Sequence, residues 1–217
     1  MKKQILSAFF AFIFIGLINT ARAADGSSLT LPPGAKVAVV VFEDLECPDC
    51  ARAYPVVWEQ ANAHKIPVVL HDFPLHQHPW AFQAAVNARY FDTKSTKLGN
   101  DYRGFIYSNQ IQITAGNLQA FTQKFADQNK VPLPFAIDPD GKLAQEVRND
   151  SDLGGKISLE HTPTIFVIGQ GSAKGTQWVE VTDRNQLSQL IEDMQSKAAA
   201  AAPPAKAVTQ RAHKKKS

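Results

Sequence analysis

Residues 39–50 read VVVFEDLECPDC, and this stretch decides the fold. Its first part belongs to a continuous β-branched run, Lys36 to Phe42 (KVAVVVF), which fits a strand buried on both faces of a sheet. Two cysteines follow at once, separated by Pro48 and Asp49. From Ala51 to His64 the pattern turns helical, with Val56, Val57 and Ala61 among the apolar positions, so the cysteine pair falls at a helix start. First-turn N–H groups lack partners within the helix and the helix dipole is positive there, which stabilises a thiolate on Cys47. A thiol of lowered pKa is both a nucleophile and a good leaving group in thiol–disulfide exchange. Cys50, one turn on and further inside, is spaced to resolve a mixed disulfide. Pro48 removes an N–H that would lack a partner and presets φ for helix entry.

By itself a single C-x-x-C admits three readings: a redox centre, half of a zinc site, or a static structural disulfide. Zinc needs two more ligands, and there is no second C-x-x-C. Only His71, His76, His78 or His161 could serve, and nothing in their spacing pairs them with the cysteines. A structural disulfide closing so short a loop restrains the unfolded chain little. It would still suit a binding or chaperone-like module with C-P-D-C as a staple, so that reading stands beside the redox one.

Outward from the motif, Ile66 to Leu70 (IPVVL) reads as a second buried strand, giving strand–helix–strand. From His78 to about Asp150 the character is helical. Ala81, Ala84, Ala85 and Ala88 share one face, Tyr102, Phe105 and Ile106 mark a second helix, and Leu118, Phe121 and Phe125 a third, after Thr114 and Asn117 as possible caps. Asp138-Pro139-Asp140-Gly141 is a turn, and a further helix starts at Leu143. The β pattern returns at Thr164 to Ile168 (TIFVI), with Trp178 to Val181 as hairpin partner, and Asn185 to Ser196 closes the body as a helix. The order is β-α-β, a helical block, then β-β-α. Expected divisions are a signal peptide at 1–23, a polar leader at 24–35, an α/β domain from 36–77 and 151–196, a helical insertion at 78–150, and a disordered basic tail at 197–217.

The ends explain the charge. Lys2 and Lys3, an apolar run from Ile5 to Ile18, and Ala21-Arg22-Ala23 have the layout of a cleaved secretory signal. That predicts a periplasmic or otherwise extracytoplasmic protein, in a compartment where disulfides persist. The 217-residue chain carries 23 Lys and Arg against 20 Asp and Glu, formally +3. Three of the basic residues lie in the signal and six in the tail, leaving 14 for a body that holds all the acids. An acidic body on an exported chain argues against nucleic acid as a partner. With 44% hydrophobic residues the body can bury a core, and two cysteines are too few for a disulfide scaffold.

Three features in combination resemble the thioredoxin superfamily: VVVFEDLECPDC, a helix proline (Pro55) eight residues after Cys47, and Thr162-Pro163-Thr164 before a strand. The helical block between the two halves resembles the DsbA architecture. Residues 72–88 (DFPLHQHPWAFQAAVNA) are similar to the FPL…H…A…AA stretch of DsbA-like exported oxidoreductases. The likeness spans roughly residues 36–195 and implies a thioredoxin-like fold with an inserted helical domain. It also implies thiol–disulfide exchange, with Cys47 forming the mixed disulfide and Cys50 resolving it. Pro48 and Asp49 would tune the couple, and Thr162 with a cis Pro163 would align a substrate strand. Substrates would be proteins with cysteines, with a membrane redox partner to re-oxidise or reduce the centre. No organic cofactor or metal is required, and the short leader leaves no room for a dimerisation domain, so a monomer is expected. Oxidase is the leading direction, with reductase or isomerase as the alternative.

Two departures from the family pattern matter. The buried acid that many members carry six residues before the first cysteine is here Val41. Glu43 is the nearest acid before the loop, but it lies past the expected core of the strand. Secondly, the dipeptide is Pro-Asp rather than Pro-His, and Glu43, Asp44, Glu46 and Asp49 crowd the motif. Their charge is expected to oppose the thiolate and make the couple less oxidising than in the strongest family oxidases, and Asp49→His to reverse this. His161 is expected either near the cysteines or in an exposed loop. Ordinary packing is expected for His71, His76 and His78, and core or junction positions for Trp58, Trp80 and Trp178.

Overall fold

The computed structural model describes residues 24–171 and 175–201; the expected signal peptide and the chain beyond 201 lie outside them. Strand β1 (Val37–Glu43) is buried along its whole length and extends one residue further than the apolar run, to Glu43. It pairs in parallel with β2 (Val68–Asp72), and helix α1 (Pro48–His64) makes the crossover that a parallel pair requires. On its other side β1 pairs antiparallel with β3 (Thr164–Gln170), which pairs antiparallel with β4 (Thr176–Glu180). The sheet order is β2-β1-β3-β4. β2 starts and ends two residues later than expected and is only half-buried, because it is an edge strand.

Alternation along β1 divides the sheet into two faces. Val37, Val39 and Val41 pack with Ala53 and Val57 of α1 and with Leu187, Ile191, Met194 and Ala198 of α6 (Leu187–Ala201). Ala38, Val40 and Phe42 pack with Phe166, Ile168 and Ile157 and with Ala24 and Leu29 from the leader. The leader is thus built into the fold: the Asp25 N–H donates to the Ile157 carbonyl at 3.0 Å. Five residues assigned to the tail from sequence, Lys197 to Ala201, instead complete α6. Alanine is the strongest helix former, and Ala198 has a core to bury against.

Helices α2 (Ala81–Asp92), α3 (Thr96–Asn109) and α4 (Leu118–Gln128) share a second core. Ala84, Ala88, Phe91, Tyr102, Ile106 and Phe125 build it, and Leu45, Cys47 and Cys50 belong to the same cluster. Helix α5 (Lys142–Lys156) runs through the boundary expected at 150. Asp138 in the preceding turn accepts from the Leu143 and Ala144 N–H groups and caps it. Asn117 stands at the start of α4, but its side chain accepts from the Thr114 N–H and closes the turn instead of capping the helix. The cysteine loop therefore lies where the sheet meets the helical block. Among the described residues no helix is long and apolar enough to cross a membrane.

Candidate active site

Cys47 is the N-cap of α1, in extended conformation, and Pro48 opens the helix. Both cysteines are free thiols and buried, Cys47 at 7% exposure and Cys50 at 2%. The Thr162–Pro163 peptide is cis. The Cys47 Sγ lies 3.3 Å from the Thr162 carbonyl oxygen, across 115 residues of chain. The Thr162 hydroxyl is buried and has no partner among the described residues. Cys47, Cys50, Thr162 and Pro163 thus meet in one place, while Pro48 and Asp49 form the loop between the thiols.

The two thiols differ sharply. Cys47 is lowered to about 5, first by the hydrogen bond from the Cys50 thiol, which outweighs burial. The backbone N–H groups of Cys50 and Asp49 at the start of α1 lower it further. Cys50 is raised well above the thiol range, by burial first and then by the hydrogen bond it gives Cys47. The Asp44 N–H, 3.4 Å from the Cys50 Sγ, is a smaller opposing influence. Such a pair has one ready nucleophile and one thiol that holds its proton.

The four acids expected to oppose the thiolate are each held by a partner, which corrects that expectation. The Asp44 carboxylate accepts from the Glu46 and Leu75 N–H groups and pairs with His78 Nδ1, each at 2.7 Å. Glu46 accepts from the Trp80 and Ala81 N–H groups and so caps α2. Asp49 is bound by Arg184 at 2.9 Å and Arg52 at 3.1 Å. Against burial, which raises it, Arg184 and then Arg52 hold its carboxyl below the ordinary range. The premise behind Asp49→His, an uncovered carboxylate, is therefore absent.

Glu43 requires a second correction. As the last residue of β1 it is 3% exposed and shares the face of Val41, two positions back along the strand. It lines one small cavity with Val41, Cys50, Ala53, Tyr54 and Pro163. The Tyr107 hydroxyl donates to it at 2.9 Å, and Arg103 Nε lies 3.0 Å away as an ion pair rather than an aligned hydrogen bond. Burial pushes Glu43 up to about 7, against the charge of Arg103. A buried acid facing the second cysteine is present, moved along the strand by one side-chain repeat.

Sequence reasoning missed the residues that hold this loop from afar. The Gln110 amide donates to the carbonyls of Leu45 (2.9 Å) and Cys47 (3.0 Å), and Arg184 reaches Asp49 from beyond β4. No local pattern marks any of them. The histidines and tryptophans have ordinary surroundings. His71 stacks on Phe42 and pairs with Asp150, and His76 and His161 are exposed. Trp80 is buried, Trp58 half-buried, and Trp178 lies against Phe166 at 36% exposure.

Solved structures share the fold. Wolbachia pipientis alpha-DsbA1 has a TM-score of 0.62 at 16% identity, covering 78% of this chain and 90% of that one. The thiol-disulfide exchange protein alpha-DsbA2 of the same organism has 0.57 at 18%, covering 75% and 83%. A periplasmic thioredoxin-like protein from Salmonella enterica serovar Typhimurium has 0.59 at 13%, covering 75% and 86%. These likenesses bear on the fold, which is thioredoxin-like with helices inserted between β2 and β3 in the DsbA-type arrangement. No curated protein matches the sequence. A family model described as Thioredoxin matches residues 32–193, and on that extent the chain belongs to the thioredoxin family.

Proposed function

We propose that the protein is an exported thiol–disulfide oxidoreductase that oxidises cysteines of substrate proteins. The observation that carries this reading is the unequal placement of its two thiols: Cys47 stands at the N-cap of α1, 3.3 Å from the Thr162 carbonyl oxygen, and Cys50 is buried one turn further in, which lowers Cys47 to about 5 and raises Cys50. A stabilised Cys47 thiolate favours the reduced form of the protein, which makes its disulfide an oxidant. The thiol–disulfide exchange named for the Wolbachia pipientis neighbour supports the chemistry, and the periplasmic Salmonella enterica neighbour supports the location.

In the forward direction a substrate thiolate attacks the Cys47 sulfur, and the Cys47–Cys50 bond breaks as the mixed disulfide forms. Cys50 leaves as a thiolate and takes a proton. Glu43, pushed up to about 7 and lining the same cavity, is the group suited to give it. A second substrate thiolate then attacks the substrate sulfur and releases Cys47 as its stable thiolate. Two electrons pass from the substrate dithiol to the protein, and a membrane redox partner removes them again. Thr162 and Pro163 would align the substrate strand beside Cys47, and the Pro48-Asp49 loop, with its carboxylate covered, would tune the couple through the helix start it forms. Cleavage after Ala23 would release the chain, which would act as a monomer.

The test is oxidation of a reduced two-cysteine peptide by the purified protein and by Cys47→Ser. The wild-type disulfide should convert the peptide stoichiometrically, or catalytically with glutathione disulfide, and Cys47→Ser should not. A wild-type disulfide that neither oxidises the peptide nor exchanges with glutathione would leave C-P-D-C as a static staple and end this reading.

A further inference from the structure

The Asp49 side chain and carbonyl are held by one residue that lies 135 positions away. Arg184 Nη2 donates to the Asp49 carboxylate at 2.9 Å, and its Nη1 to the Asp49 carbonyl oxygen at 3.2 Å. Arg184 is itself set in place by the fold. After β4, the Val181 N–H donates to the β3 residue Ile165 at 2.8 Å. The Asp183 carboxylate then caps the short 3-10 turn at 184–186 by accepting from the Asn185 N–H. The guanidinium is thus delivered to the loop between the cysteines by the far end of the sheet. A planar fork with several donors suits a combined carboxylate and carbonyl grip.

We propose that Arg184 is a positioning residue of the redox centre: it clamps the Pro48-Asp49 loop and covers the Asp49 charge, so that this carboxylate does not act on the Cys47 sulfur. The proposal rests on Cys47 being the reactive thiol of the reading above. Other charged groups near the loop are already engaged: Glu43 by Arg103, Asp44 by His78, and Glu46 by the start of α2. His161 and Glu180 line the groove beside Pro163 that Asp49 and Arg184 also line, and neither is bonded to Asp49 among the described residues. Arg52 also touches Asp49, but its side chain is 67% exposed against 34% for Arg184, and it does not reach the loop carbonyl. Solvent screens such an exposed partner more strongly.

The experiment is titration of the Cys47 thiolate by its ultraviolet absorbance in the reduced, purified protein, which needs no substrate. Arg184→Gln should lower the thiol's acid dissociation constant about two- to fivefold, as expected for a partly exposed charge pair. Arg184→Lys should recover part of that loss, and Arg52→Gln should change it less. In an Asp49→Asn background the effect of Arg184→Gln should largely disappear. An unchanged midpoint in Arg184→Gln would overturn the proposal, and so would an equal shift with and without the Asp49 carboxylate. Circular dichroism and thermal unfolding of each variant separate these results from loss of fold. A protein that fails to oxidise the peptide but shows the linked titration would reject the oxidase reading and keep the clamp.

Discussion

Cys47 and Cys50 sit one helical turn apart and have opposite environments. The first faces helix-start N–H groups and a second thiol, and the other lines a small cavity with Glu43. A first thiol near 5 lies between the values of about 7 for thioredoxin and about 3.5 for DsbA. The potential should accordingly fall between about −270 mV and about −120 mV, measured by equilibrium with glutathione. A value outside that window would show that the dithiol is governed by something other than thiolate stability. Glu43 makes a prediction of the opposite sign. Its folded pKa is raised to about 7 from 4.5, so the folded state binds its proton more tightly than the unfolded chain. Stability from this group is complete below 4.5 and declines as pH rises through 7. Urea unfolding of the oxidised protein should show that decline, and Glu43→Gln should flatten it. A slope unchanged in the variant would remove Glu43 from the account. In the reduced protein the lowered Cys47 adds stability as pH rises above about 5, so the oxidised form gives the cleaner reading.

At the scale of elements, the acids around the motif attach the helical block to the sheet. Glu46 caps α2, Asp44 ties the loop before α2 to the start of α1, and Glu43 reaches Tyr107 and Arg103 on α3. Arg103 is 1% exposed and also makes two hydrogen bonds to Asp92. Beside it, Arg89 of α2 donates to Asp72 at 2.5 Å and to Asp150 of α5. Gly99 gives Asp92 room for this: a Cβ there would stand 1.7 Å from the Asp92 carboxylate. Removing one member of a buried ion cluster leaves the others charged and unpaired, which costs far more than the cluster contributes. Arg103→Ala should therefore destabilise the protein by about 3–5 kcal/mol in chemical denaturation. A loss below about 1 kcal/mol would mean that water or a rearranged Arg89 takes its place.

Across the whole molecule, legibility followed sequence distance. The stretch at 39–50 carries its own signals: a two-sided apolar strand, a proline at the first helical position and thiols one turn apart. These depend on neighbours a few residues away, and the structure has them as expected. Pro55 and the Thr162-Pro163 pair extended the reading only through the family likeness. What was misread depended on contacts across the chain. Four acids beside a thiol looked like an opposing field because their partners, His78, Arg103 and Arg184, lie 34, 60 and 135 positions from the acids they hold. Glu43 looked to lie past the core of the strand, yet Tyr107 and Arg103 of α3 cover it. The alanines after Ser196 looked like the start of a tail, yet Ala198 meets the sheet core.

The sequence by itself determined the strand–helix start, the place of the two thiols at a helix N-terminus and the order of elements, because these follow from local periodicity and backbone chemistry. Only the tertiary structure decided which acid stays buried beside Cys50, which cations cover the others and what holds the loop between the thiols. The physical reason is that burial and charge pairing act through space. An isolated carboxylate, a paired one and a buried one are the same letter until the chain has folded around them.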